Sequence, residues 1–164
     1  MKLSVVIPVF NEAPTIAAIV ECVNQIDIDK EIIIVDDYST DGTRAILSGV
    51  AAQHPNVTVL YHEQNMGKGL ALRTGFAVAR GDYVIVQDAD LEYDPKDYAL
   101  LLHPLEKDKA DAVFGSRFVS TQEHRVLYFW HSLGNKFLTL FSNTMTNLNL
   151  TDMEAGYKVF RREL

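Results

Sequence analysis

The sequence predicts an α/β fold, a Rossmann-like and mostly parallel sheet flanked by helices. Three observations predict it. Short β-branched runs alternate with helical periodicities along the chain, the pattern of strand–helix–strand units. The runs are apolar without alternation, as in strands covered on both faces. Charged and glycine-rich motifs follow the runs directly, at the strand ends where open parallel sheets bind ligands.

Each element has its own signal. Leu3-Ser4-Val5-Val6-Ile7 is the first strand, ended by Pro8. Ile16, Ile19, Val20 and Val23 recur at helical spacing, with Asn11 placed as a cap and Pro14 tolerated in the first turn. Glu31-Ile32-Ile33-Ile34-Val35 is the second strand and runs into Asp36-Asp37. Ile46, Leu47 and Val50 mark a second helix after a turn over residues 39–43. Residues 57–61 form a third strand, and a third helix covers roughly residues 67–80. Tyr83-Val84-Ile85-Val86 is the fourth strand, and Asp94-Pro95 opens a fourth helix with Asp97 placed for a capping box. Ala112-Val113-Phe114 is the fifth strand. Beyond it, Phe129, Leu133, Phe137 and Phe141 recur every fourth residue, with Trp130, Leu138 and Leu140 beside them. That apolar helix face suits either a core or an interface with a membrane or lipid tail. No repeat, linker or low-complexity tract interrupts residues 1–164, so one domain is expected.

Composition narrows the function classes. A chain of 164 residues buries roughly 70% of its unfolded surface and needs no staples. Apolar residues at 48% and charged residues at 23% exclude disorder, collagen and coiled coil as the main architecture. Cys22 is the single cysteine, which excludes an intrachain disulfide and a Cys-rich zinc site. An intracellular, reducing compartment is the expected home. The N-terminal apolar run reads as a strand rather than a signal peptide. Residues 137–150 carry no formal charge, but 14 residues with three Asn do not span a bilayer. A net charge of −7 argues against nucleic acid, which is bound through Lys and Arg at phosphates. The charge is uneven. Residues 1–110 hold 9 basic and 17 acidic side chains, whereas residues 111–164 hold 6 and 5, together with nine of the sixteen aromatics. The first part suits a cation, and the last part suits an anion or an apolar partner.

The strand-end motifs carry the chemistry. In extended chain, Asp88, Asp90 and Glu92 would point to one side and suit Mg²⁺ or Mn²⁺, whose shell substrate phosphates complete; the alternative is an acidic turn that caps a helix. Of Asp36 and Asp37, one suits a base or ribose and the other a helix cap or turn. Asn65-Met66-Gly67-Lys68-Gly69 opens a helix with glycines and a lysine, which favours an anion, or forms a turn with a solvated lysine. It is not a GxxxxGK[ST] phosphate loop. Arg117, after Gly115-Ser116, suits paired hydrogen bonds to phosphate or a plain surface turn. Asp152, in Asp152-Met153-Glu154-Ala155-Gly156-Tyr157-Lys158, suits acceptor orientation, general-base work or a structural loop. His54, His62, His103, His124 and His131 show no metal-ligand spacing.

Taken in order, Val6-Ile7-Pro8-Val9-Phe10-Asn11-Glu12, Ile34-Val35-Asp36-Asp37-Tyr38-Ser39-Thr40-Asp41-Gly42-Thr43, Asn65-Met66-Gly67-Lys68-Gly69, Gln87-Asp88-Ala89-Asp90-Leu91-Glu92 and Gly115-Ser116-Arg117 resemble the family 2 glycosyltransferases of the A-type fold. The Lys68 motif, the Asp-Ala-Asp-Leu-Glu form and the Asp152–Lys158 segment are most similar to the polyprenyl-phosphate branch. That branch includes dolichol-phosphate mannosyltransferases and bacterial polyisoprenyl-phosphate glucosyltransferases. The resemblance implies metal-dependent, inverting transfer of a hexose from a UDP- or GDP-sugar to a polyprenyl phosphate. It implies that Pro8, Phe10, Glu12, Asp36 or Asp37, Lys68, Asp88 and Ala89 bind the nucleotide-sugar. Asp88, Asp90 and Glu92 would hold Mg²⁺ or Mn²⁺, although relatives often carry Gln at the position of Glu92. Arg117 would bind phosphate, Arg125 and Lys158 would assist on the acceptor side, and Asp90, Asp152 and Arg117 would stand nearest the reaction. Relatives usually continue beyond the position of Leu164, many into transmembrane helices. The resemblance therefore implies C-terminal truncation and a peripheral or anchored place at the cytoplasmic face of a membrane. A glycan or polysaccharide acceptor, which would need Asp152 as base, and a non-catalytic nucleotide-sugar-binding module are the alternatives.

Overall fold

The structure is a computed structural model that describes residues 2–116 and 129–164, with the side chains of 129–132 outside the description. Its elements run β1 (Leu3–Val9), α1 (Ile16–Asn24), β2 (Lys30–Asp36), α2 (Thr43–Gln53), β3 (Val57–Tyr61), α3 (Lys68–Val78), β4 (Tyr83–Val86), a short 3₁₀ turn (Pro95–Asp97), α4 (Tyr98–Glu106), β5 (Ala112–Phe114), α5 (Phe129–Thr146) and β6 (Lys158–Arg161). The sheet order is β3-β2-β1-β4-β6-β5. β1 pairs in parallel with β2 and β4, and β2 pairs in parallel with β3.

The alternation of strand side chains divides the core in two. Leu3, Val5, Ile7 and Val9 of β1 and Ile32 and Ile34 of β2 face α1, α2 and α4, among them Ile16, Ile19, Val23, Leu47, Tyr98 and Leu102. Val6, Ile33, Val35 and Val84 face α3 through Ala71, with Leu72, Phe76 and Phe160 packed alongside. Helix α3 comes close because Gly75 has no side chain: a Cβ there would lie 2.4 Å from Val6 Cγ1.

The structure corrects the expected elements in three places and decides a fourth that the sequence leaves open. Thr15, not Asn11, precedes α1, and it makes no side-chain cap. Four buried apolar side chains hold α1, each worth about 1.5–3 kcal/mol against roughly 1 kcal/mol for a cap. Asn11 instead adopts φ 58° and accepts from the Thr40 amide, stitching the loop after β1 to the loop after β2. A sixth strand, β6, was not expected; it enters antiparallel between β4 and β5, with Val159 opposite both Ile85 and Val113. Consequently β5 is an edge strand with Ala112 and Phe114 exposed, not a strand covered on both faces. Lastly, the apolar face of α5 is not core: Leu133, Phe137, Leu140 and Phe141 are 48%, 68%, 64% and 60% exposed. The protein-facing side carries Asn135 and Thr139 instead. Phe129 and Trp130 lie among the residues whose side chains are outside the description. No helix among the described residues is long and apolar enough to cross a membrane.

Candidate active site

Parallel β1, β2 and β4 end at one edge of the sheet, and a cleft of about 200 Å³ opens there. Pro8, Val9, Phe10 and Glu12 line it from the end of β1, and Asp37 from the end of β2. Lys68 and Ala71 line it from the start of α3, and Asp88, Ala89 and Asp90 from the end of β4. Eight sequence-assigned residues thus meet in one place, although some are separated by about eighty positions in the chain. Phe10 is half exposed and offers a flat apolar face at the mouth.

Asp36 is corrected. It is fully buried, accepts from Arg44 Nε at 2.6 Å and from the Ser39 amide, and does not line the cleft. Arg44 also donates to the His62 carbonyl, and its guanidinium lies 5.2 and 5.5 Å from the Tyr38 and Tyr61 rings. Asp36 therefore holds β2 to α2 and to the chain after β3. Asp37 lines the cleft, but its carboxylate is already engaged: it accepts from the Met66 and Gly67 amides at 2.9 and 2.7 Å. His62 Nδ1 lies 2.7 Å from it and Nε2 3.0 Å from Thr74 Oγ1. Since the carboxylate only accepts, Nδ1–H donates to it. Asp37 is thus a clamp on the residues that lead into Lys68 as well as part of the cleft lining.

This clamp has a pH signature. Burial works against the charge of Asp37, but the Met66 amide, the His62 ring and the Gly67 amide outweigh it and hold its pKa below the ordinary value of 3.8. A depressed carboxylate pKa adds stability that is complete above the unfolded value and disappears as pH falls through the folded one. Urea unfolding of the wild type should therefore weaken as pH drops below about 4. The Asp37→Asn variant should be less stable at pH 7 and flatter in that acid window; parallel curves would refute the clamp.

Asp88 is one-sixth exposed, and its Oδ1 receives Lys68 Nζ at 2.6 Å. Residues 88–92 are not extended: Ala89 and Asp90 form a turn, and Leu91 has φ 62°. This removes the expected alignment of three carboxylates. Asp90 Oδ1 accepts from the Glu92 amide, and Glu92 is exposed and outside the cleft lining. Among the described residues no three His, Cys, Asp or Glu side chains lie close enough to hold a metal ion. Of the four carboxylates that line the cleft, Glu12, Asp37, Asp88 and Asp90, the last two come together from the end of β4. Two suffice for Mg²⁺ or Mn²⁺ when substrate phosphates and water complete the shell, and the Lys68 ammonium on Asp88 marks the position as one that attracts a cation.

The last third contributes differently from expectation. Asp152 is buried, accepts from Asn135 Nδ2 at 2.9 Å and from the Glu154 amide, and is outside the cleft lining. Thr139 Oγ1 receives the Met153 amide and donates to Asn135 Oδ1. Asp152 therefore ties α5 to the segment before β6. Lys158 opens β6 with its ammonium 5.8 Å from the Phe114 ring, likewise outside the cleft lining. Arg117 and Arg125 lie outside the described residues.

Sequence reasoning assigned no role to Gln87, whose buried side chain saturates its hydrogen bonds. Its Oε1 accepts from Tyr98 and Tyr157 at 2.7 and 3.0 Å, and its Nε2 donates to the Asp88 and Tyr93 carbonyls. Burial pushes both phenol pKa values up, so they act as neutral donors. A polar residue wedged between a buried strand and an acidic turn was the available signal.

The sequence pattern of glycosyl transferase family 2 matches residues 4–164. A polyprenol monophosphomannose synthase of Mycolicibacterium smegmatis is 32% identical over 98% of this chain and 62% of its own length. An undecaprenyl-phosphate mannosyltransferase of Micrococcus luteus is 30% identical over 99% of this chain and 68% of its own. Among solved structures, glucosyl-3-phosphoglycerate synthase from Mycobacterium tuberculosis, in complex with Mn²⁺, UDP-glucose and phosphoglyceric acid, superposes with a TM-score of 0.68. It is 25% identical, over 99% of this chain and 57% of that one. The chain thus spans between about half and two thirds of the length of these proteins.

Proposed function

The chain belongs to glycosyl transferase family 2, and we propose that residues 1–164 form a catalytic domain that transfers a hexose from a nucleotide-diphospho-sugar to a polyprenyl phosphate. The observation that carries this reading is the single cleft that collects Pro8, Phe10, Glu12, Lys68, Asp88 and Asp90 at the strand ends. Phe10 offers a face on which a base can stack, and Glu12 a carboxylate for ribose hydroxyls. Asp88 and Asp90 would hold Mg²⁺ or Mn²⁺, which when bound supplies positive charge against the departing diphosphate. Lys68 adds a second cation for the same oxygens.

The reaction needs no base. A phosphate monoester is ionised near pH 7, so its oxygen can form the new bond to the anomeric carbon while the bond to the nucleotide breaks and its electron pair leaves on the diphosphate. One such displacement inverts the anomeric centre. Asp152 is buried and already hydrogen-bonded, which suits this acceptor better than a sugar hydroxyl that would require an available base. The exposed apolar side of α5 suits a domain that works at the cytoplasmic surface of a membrane. Names among the relatives support the lipid acceptor.

The direct test is a thermal-shift titration with GDP and UDP, with and without Mn²⁺. A ligand at 100 times its Kd stabilises by roughly 2.7 kcal/mol, which at this chain length is a rise of several degrees. A Mn²⁺-dependent rise with one nucleotide is expected and names the donor class. No rise with either would overturn the reading.

A further inference from the structure

We propose that Lys68 is an exchangeable counter-cation. It neutralises Asp88 before the donor binds, and it releases that carboxylate to a divalent cation when the donor's diphosphate takes over its ammonium. This deepens the reading of the cleft given above and rests on it. Three observations carry it. The ammonium sits 2.6 Å from Asp88 Oδ1, on one of the two carboxylates that the end of β4 brings to the cleft. The Lys68 side chain is 59% exposed while Asp88 is 17% exposed, so the lysine stem borders solvent on the donor side and the carboxylate is held against protein. Finally, the Lys68 backbone is fixed by the Asp37 clamp on Met66 and Gly67, so any swing belongs to the four-carbon stem alone.

A divalent cation cannot settle on an oxygen already paired with an ammonium without repulsion between the two cations. A diphosphate removes the conflict because it offers the lysine a stronger anion, and lysine is a common phosphate binder. Metal and nucleotide therefore help each other to bind, and by linkage the help is equal in both directions. The device leaves Asp88 neutralised until the donor arrives, so that the metal is taken up together with the donor rather than alone.

The test reads affinities rather than turnover. Free Mn²⁺ is followed by electron paramagnetic resonance in the absence of nucleotide, and GDP and UDP are titrated calorimetrically at saturating Mn²⁺. Lys68→Met should bind Mn²⁺ alone about tenfold more tightly than wild type and the nucleotide about tenfold more weakly, roughly one unit of 1.4 kcal/mol in each direction. Lys68→Arg, which keeps the charge, should retain the weak Mn²⁺ binding of the wild type. Adding Asp88→Asn to Lys68→Met should abolish the gain. An ordinary phosphate-binding lysine would weaken only the nucleotide, so unchanged or weaker Mn²⁺ binding in Lys68→Met overturns the exchange alone. Failure of every protein to bind Mn²⁺ with or without nucleotide overturns the metal reading of the cleft, and the exchange with it.

Discussion

Asp90→Asn should lower the rate of sugar transfer by about a thousandfold while leaving the melting temperature within a degree or two. The two halves of this expectation come from different atoms. Asp90 Oδ1 accepts from the Glu92 amide and so closes the turn after β4. An asparagine keeps a carbonyl oxygen at that position and keeps the turn. What it loses is a negative charge beside Asp88, the other carboxylate that the end of β4 brings to the cleft. Charge stabilisation at a leaving phosphate amounts to several kcal/mol, and about 4 kcal/mol corresponds to roughly a thousandfold in rate. The measurement is single-turnover transfer from a GDP- or UDP-sugar to a short-chain polyprenyl phosphate, paired with circular dichroism melting. A variant that melts normally and transfers at the wild-type rate would remove Asp90 from the site. A raised Mn²⁺ requirement at nearly normal maximal rate would assign Asp90 to affinity rather than to the reacting charge.

The strands and the cleft were legible in the sequence for one physical reason. Strands at the centre of a parallel sheet bury both faces, so β1, β2 and β4 appear as unbroken apolar runs. Whatever follows such a run stands at the edge of the sheet: Pro8 to Glu12, Asp37, and Asp88 to Asp90 are found there. The rules failed where a signal had two physical solutions. The apolar period of Leu133, Phe137 and Phe141 is matched by an equal period in Asn135, Thr139 and Asn143, and periodicity alone does not say which side meets the protein. The answer came from loops: Asn135 and Thr139 satisfy polar groups at Asp152 and Met153, and Asn143 exchanges hydrogen bonds with the Leu150 backbone. β6 was hidden because its four residues are bounded by charged side chains and its partners lie far away in sequence. Asp36 and Asp37 are adjacent and chemically identical, yet Arg44, eight positions on, claims one, and the turn after His62 claims the other.

Gln87→Leu should cost about 3–5 kcal/mol of stability, a fall of roughly 10 °C in melting temperature for a chain of this size. Leucine is close to glutamine in volume, so packing is nearly kept, and the loss is of hydrogen bonds. The amide's four bonding positions are all used, by two buried phenols and two backbone carbonyls. Removing it leaves the Tyr98 and Tyr157 hydroxyls without their acceptor, and an unsatisfied buried group costs about 1–3 kcal/mol. Those phenols also join distant parts of the fold. The Tyr157 ring packs on Tyr93 and Tyr98, and Tyr93 in turn receives the Gly156 amide on its hydroxyl. A Cβ on Gly156 would lie 2.3 Å from the Tyr93 ring, so this contact admits no side chain. Gln87 therefore stands where the acidic turn after β4 is joined to the segment leading into β6. The decisive measurement is a double-mutant cycle with Tyr98→Phe. In the wild type, Tyr98→Phe removes a satisfied bond and should destabilise by about 1 kcal/mol. In Gln87→Leu it removes a stranded hydroxyl and should be neutral or stabilising. Additive losses in the cycle would mean that the tyrosines find other partners and that Gln87 is not the joint between the two segments.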